Sequence, residues 1–148
     1  MPTPAVAVVI PVYNAGRFIN ESIDSARAQT TLQWECTIVD GGSTDETPSR
    51  LVAYRDPRIR WILQGNIGER AARARGVSLT SAPRIVGLDA DDRLCPDALL
   101  GQTSSRRCLG AVRRSGLMRS IASEYGETIR TESCLRKAGA PELQEVHS

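Results

Sequence analysis

Short apolar runs alternate four times with segments of helical character in the first hundred residues, and this alternation strongly constrains the fold. The first run, residues 5–10, contains only alanine, valine and isoleucine and is ended by Pro11. Such a run is typical of a strand covered on both faces, as in a parallel sheet. Further strands are predicted at residues 34–40, 59–63 and 84–89. The alternation therefore predicts an α/β fold with a mostly parallel sheet and helices on both faces.

Three helices are predicted between these strands. Asn14 is expected to cap the first helix, and Ser43 with Glu46 forms a capping-box pattern for a second helix that continues to about Tyr54. The third helix is predicted over residues 69–80. The apolar stripe of the first helix is expected to consist of Ile19, Ile23 and Ala26.

Composition and charge exclude several classes of protein. The formal net charge of +2 over 148 residues is too small to indicate a nucleic-acid-binding protein. No apolar run approaches the ~20 residues of a membrane span, and no basic region precedes the first run as in a signal peptide. The four cysteines form no CxxC pair, so free thiols in a reducing compartment are expected. We predict a cytoplasmic domain, with peripheral contact at the inner face of the membrane left open.

The last third of the chain differs from the rest. Residues 101–148 carry 8 basic and 5 acidic residues and a single aromatic, Tyr125. Only weak helical patterns are found, near residues 96–109 and 132–138. We divide the domain into a core over residues 1–100 and a divergent C-terminal segment. Because the sheet needs cover on its faces and edges, we expect the isolated chain to be marginally stable or to self-associate.

Polar residues follow three of the predicted strands at the point where each strand ends. Tyr13 and Asn14 come after the first strand, Asp40 ends the second and Asp89 ends the fourth. The carboxyl ends of parallel strands meet at one edge of a sheet, where open α/β sheets bind their ligands. The sequence therefore predicts a ligand site at this edge.

Acidic residues cluster after the fourth strand, in the sequence Asp89-Ala90-Asp91-Asp92. Residues i and i+2 of an extended chain point to the same side, so Asp89 and Asp91 are expected to converge. Two such carboxylates would repel each other unless a cation lies between them, and hard divalent cations prefer oxygen ligands. The alternative is an acidic helix cap ahead of Pro96, which favours the helix dipole.

Four segments of the chain resemble the ordered motifs of family 2 glycosyltransferases, which have the GT-A fold. The likeness extends from residue 5 to about residue 100, and the segments occur in the order and spacing of the family. They are IPVYNAG (10–16), IVDGGSTDET (38–47), NIGERAARARG (66–76) and LDADDRLCP (88–96).

The resemblance implies roles for residues that bind the nucleotide of a nucleoside-diphosphate sugar. Asp40 resembles the acid that hydrogen-bonds the base, most often uracil, although a turn-capping role before two glycines is the alternative. Arg73 resembles an arginine near the base and diphosphate, although a solvated helix face shared with Arg70 and Arg75 is the alternative. The residues implied to line the nucleoside pocket are Pro11, Val12 and Tyr13.

The resemblance also implies a metal site and a reaction. Asp91 resembles the metal-binding second aspartate of the DxD motif, and Asp89 is expected beside the ribose or the metal. The implied cofactor is Mn²⁺ or Mg²⁺. The implied reaction transfers a sugar, with inversion, from a nucleoside-diphosphate sugar (a UDP-sugar first) to a hydroxyl of a glycan, lipid or other acceptor.

Departures from the family pattern limit this expectation. Position 41 is Gly where the family often has Asp, and position 74 is Ala where it usually has Asn. The family's late carboxylate, which acts as general base, has no counterpart, since Glu142 and Glu145 are more typical of a solvated tail. We therefore expect weak or no transferase activity. The alternatives are a binding module without turnover, a phosphotransferase, and an NAD-binding Rossmann domain, although no GxGxxG follows the first strand.

Overall fold

The computed structural model describes residues 3–100 and 111–113. Its main sheet contains four parallel strands in the order β3-β2-β1-β4. This arrangement confirms the predicted mostly parallel sheet. The strands are β1 (Val6–Val12), β2 (Trp34–Asp40), β3 (Ile59–Leu63) and β4 (Arg84–Gly87).

Helices cover both faces of the sheet. The three helices are α1 (Ile19–Arg27), α2 (Thr47–Val52) and α3 (Glu69–Ser78). The predicted stripe of α1 is buried and belongs to one core cluster with Val8, Ile10 and Leu51 of α2. On the opposite face α3 packs through Gly76, where an added Cβ would lie 2.3 Å from Cγ1 of Val9. Only a residue without a side chain allows α3 to approach the sheet this closely.

The first strand is the centre of the core, as its unbroken apolar sequence predicts. All seven residues of β1 are buried, and β2 and β4 flank it. Cys36 of β2 is a buried free thiol, as predicted. Cys95 is also buried, and Cys108 and Cys134 lie outside the described residues. Burial raises the pKa of Cys36 to about 12, assisted by the nearby charges of Glu35 and Asp56. This thiol is therefore a structural residue rather than a nucleophile.

The predicted helix caps are wrong. Helix α1 begins at Ile19 without a side-chain cap, and α2 begins at Thr47, ends at Val52 and also has no side-chain cap. Instead, Asn14 and Ser43 form hydrogen bonds between the loop after β1 and the loop after β2, because these two loops lie side by side at the end of the sheet. The main-chain N–H of Asn14 donates to Oγ of Ser43 at 2.8 Å, and Oδ1 of Asn14 accepts from the N–H of Thr44 at 2.8 Å.

A second, two-stranded sheet was not predicted. Strand β5 (Asp92–Leu94) pairs antiparallel with β6 (Ala111–Arg113), so part of the C-terminal segment adjoins the core. Most of the helix predicted near residues 96–109, from residue 101 onward, lies outside the described residues. The helix predicted near residues 132–138 lies outside them entirely. The division at residue 100 and the expected self-association stay predictions. None of the helices within the described ranges has the length and apolar character needed to span a bilayer.

Candidate functional site

A cleft of about 600 Å³ lies at the carboxyl ends of β1 and β4. The chain runs outward from β1 to β3 on one side and returns to β4 on the other, so this is the point where strand order reverses. Open α/β sheets bind ligands at such a point. The predicted nucleotide-binding and metal-binding residues that line the cleft are Pro11, Val12, Tyr13, Asp89 and Asp91.

Tyr13 presents an aromatic surface at the cleft. Pro11 and Val12 are buried at the end of β1, whereas Tyr13 is 52% exposed. The Tyr13 side chain lies beside Gly41, where an added Cβ would be 3.9 Å from its Cβ and Cδ2 atoms. An exposed ring at a cleft wall can stack against a planar base.

The loops after β1 and β2 are joined by hydrogen bonds that the sequence did not reveal. Asn14 has a φ of 49°, a left-handed conformation that asparagine tolerates better than most residues. In the same cluster, the main-chain N–H of Gly16 donates to Oδ2 of Asp45 at 3.0 Å. The only sequence signal was an asparagine two residues after the end of β1. This cluster holds the backbone that carries Tyr13.

Asp40 is fully buried at the end of β2, one residue before Gly41 of the cleft wall. Its Oδ1 atom accepts a hydrogen bond from the main-chain N–H of Ser43 at 2.9 Å, so the turn-capping alternative is observed. Its Oδ2 atom is buried and has no hydrogen-bond partner within the part of the chain that the structure describes. One carboxylate oxygen of Asp40 therefore stabilises the turn, and the other can accept a further hydrogen bond.

Three carboxylates converge beyond β4. Oxygen atoms of Asp89, Asp91 and Asp92 all lie within 4.8 Å of one another. Asp89 and Asp91 were predicted to converge because they would lie on one side of an extended chain. This reason was wrong, because β4 ends at Gly87 and residues 89–92 form a turn. In this turn the N–H of Asp92 donates to the main-chain oxygen of Asp89 at 3.0 Å. Three oxygen donors at one turn fit a hard divalent cation.

A buried hydroxyl on α1 fixes this turn. Oγ of Ser22 lies 2.6 Å from the main-chain oxygens of both Ala90 and Asp92 and can donate its one proton to either. Ser22 was not predicted from the sequence, although it lies next to Ile23 on the buried face of α1. The sequence signal for its role was a serine within the otherwise apolar buried face of α1.

Arg73 contacts the acidic turn directly. Its Nη2 atom lies 2.9 Å from Oδ1 of Asp89 and 2.6 Å from Oε1 of Glu69. Burial lowers the pKa of Arg73, but the hydrogen bonds to Glu69 and Asp89 outweigh it and raise the pKa overall. Arg70 and Arg75 are exposed, so Arg73 does not share their solvated face.

Comparison with known proteins identifies the family. A sequence model of the family "Glycosyl transferase family 2" matches residues 7–103. The succinoglycan biosynthesis protein ExoO of Rhizobium meliloti (strain 1021) is 39% identical over 141 residues, covering 95% of this chain and 40% of that protein. A chondroitin synthase of Escherichia coli is 40% identical over 98 residues, covering 65% of this chain and 14% of that protein. The chain thus spans less than half the length of either relative.

Solved structures agree on the fold. The mannosyltransferase PcManGT from Pyrobaculum calidifontis, in complex with GDP-Man and Mn²⁺, matches with a TM-score of 0.60 and 25% identity over 68% of this chain and 31% of that one. S. aureus TarS 1-349 in complex with UDP matches with a TM-score of 0.58 and 21% identity over 66% of this chain and 30% of that one, which supports the fold alone. The expected GT-A fold is confirmed, and the chain belongs to glycosyl transferase family 2.

Proposed function

We propose that this chain binds a nucleoside-diphosphate sugar, a UDP-sugar first, in the cleft at the ends of β1 and β4. The observation that carries the proposal is the meeting of an exposed aromatic ring and a cluster of three carboxylates at one strand-order reversal. The complex of PcManGT with GDP-Man and Mn²⁺ supports a nucleotide-sugar ligand.

The base is proposed to bind between the loops after β1 and β2. The Tyr13 ring would stack on the base, and its exposed position leaves room for this contact. Oδ2 of Asp40 would accept a hydrogen bond from the imide N–H of uracil, since this atom is an acceptor without a partner among the described residues. Asp40 is fully buried, so the groups that cover its Oδ2 atom would move aside for the base to reach it.

The diphosphate is proposed to lie against the acidic turn. Asp91 and Asp89 would hold Mn²⁺ or Mg²⁺, whose charge would offset the negative charge that grows on the leaving diphosphate. Asp91 is exposed and Asp89 is half-buried, so both reach the cleft. Arg73, which already contacts Asp89, would add a second positive charge near the diphosphate.

Transfer with inversion to a hydroxyl needs a base that removes the acceptor's proton. Among the described residues that line the cleft, the carboxylate outside the acidic turn is Glu69, and it is paired with Arg73. We therefore propose that the chain supplies the donor-binding and metal-binding half of the transferase, with weak or no turnover by itself.

The second candidate function is that of a nucleotide-sugar-binding module. The acceptor is proposed to be a hydroxyl of a glycan or lipid, and peripheral membrane contact stays part of the proposal.

Turnover tests whether the chain acts as a transferase by itself. The full chain would be incubated with UDP-sugars or GDP-mannose, Mn²⁺ and simple glycan acceptors, and released nucleoside diphosphate would be quantified. We expect release near the background rate together with measurable binding of UDP. Release far above background would show that a base is present after all. Absence of both binding and release would contradict the proposed function.

A further inference from the structure

Arg73 contacts one of the three carboxylates that a metal ion at the acidic turn would use. Its guanidinium is 2.9 Å from Oδ1 of Asp89, and the oxygens of Asp89, Asp91 and Asp92 lie within 4.8 Å of one another. The side chain of Arg73 is 34% exposed and that of Asp89 26%, so water screens this ion pair only in part. A divalent cation and a guanidinium repel each other and would compete for the same carboxylate.

The position of Arg73 depends on a glycine in β4. An added Cβ at Gly87 would lie 2.5 Å from Nη1 of Arg73, closer than non-bonded atoms approach. The absence of a side chain at Gly87 therefore leaves room for the guanidinium over the end of the strand. On its other side, Glu69 holds the same Nη2 atom at 2.6 Å. Arg73 would thus stay beside Glu69, which lines the cleft, even if Asp89 released it.

We propose that the Arg73–Asp89 ion pair is a latch that opposes metal binding in the nucleotide-free chain and couples the metal to the nucleotide. A cation entering the turn would displace the guanidinium from Asp89, and the freed guanidinium, still held by Glu69, would turn to the diphosphate. The two ligands would then each favour the binding of the other. This inference rests on the proposed function, but it makes a prediction about the chain without nucleotide.

The test is a titration of Mn²⁺ into the nucleotide-free full chain, followed by calorimetry. Arg73→Gln should bind Mn²⁺ more tightly than the wild type, by roughly fivefold, because the competing ion pair is gone. The same variant should bind UDP in the presence of Mn²⁺ more weakly. The matched control is Arg75→Gln, which removes the same charge from an exposed position of α3 and should change Mn²⁺ affinity by less than about twofold.

A second variant keeps the charge. Gly87→Ala should push the guanidinium away from Asp89 and also tighten Mn²⁺ binding. Weaker or equal Mn²⁺ binding by Arg73→Gln would overturn the latch, as would equal gains for the two arginine variants or the absence of Mn²⁺ binding in both wild type and variant. The proposed function is judged separately, by binding of UDP to the wild type, so the two failures can be distinguished.

Discussion

Replacing Asp91 with alanine should abolish the metal-dependent part of nucleotide binding and leave the fold intact. Asp91 is exposed at the cleft, and its carboxylate oxygen belongs to the three-carboxylate cluster. Loss of an exposed side chain costs little stability, whereas loss of a ligand leaves the cation with fewer charged oxygens. Titration of UDP with and without Mn²⁺ measures the effect, which we expect to be on the order of 100-fold, as for loss of a charge pair in a binding site.

The matched control is Asp97→Ala, which removes an exposed carboxylate a few residues beyond the cluster. This variant should bind UDP like the wild type at each Mn²⁺ concentration. Equal affinity of the Asp91 variant and the wild type would rule out the metal role of Asp91.

Replacing Asp40 should weaken uridine nucleotides more than adenine nucleotides. An alanine at this position is expected to cost UDP binding about 1–3 kcal/mol, because the base would leave its imide N–H without an acceptor. Adenine lacks that N–H and should lose less. Calorimetric titration of UDP and ADP into both proteins, with Mn²⁺ present, provides the comparison.

Because Asp40 is fully buried and supports the turn at Ser43, its loss also affects stability. Asp40→Asn separates the two effects, since the amide oxygen can still accept from the N–H of Ser43 while the NH₂ group replaces the oxygen offered to the base. We expect this variant to unfold near the wild-type temperature and to lose UDP affinity. An equal weakening of UDP and ADP would leave Asp40 with the turn-capping role alone.

The strands were predictable because their signals are local. The continuous apolar sequence of β1 and the mostly apolar sequence of β2 dictate buried strands. The bounds of β2, Trp34–Asp40, are those predicted, whereas β1 continues through Pro11 to Val12, two residues beyond the predicted run. Helix caps were not predictable, because Asn14 and Ser43 satisfy their polar groups across two loops that are distant in sequence. The pairing of β5 with β6 had no sequence signal, since both strands have only three residues.

The site was predictable to the extent that it lies at strand ends. Tyr13, Asp89 and Asp91 line one cleft because parallel strands bring their carboxyl ends together. The supporting contacts were not predictable, since Ser22 and Gly87 look like ordinary helix and strand residues. Their roles depend on which segment folds against them, and this is a property of the tertiary structure.

The central claim is that the cleft binds a nucleoside diphosphate with the help of a divalent cation. Its most direct test is a calorimetric titration of UDP into the full wild-type chain, once with Mn²⁺ and once with EDTA. We predict saturable binding with one UDP per chain in Mn²⁺ and binding weaker by roughly 100-fold in EDTA, a difference of about 2.8 kcal/mol. Undetectable binding of UDP in Mn²⁺, or equal affinity in Mn²⁺ and in EDTA, would contradict the account.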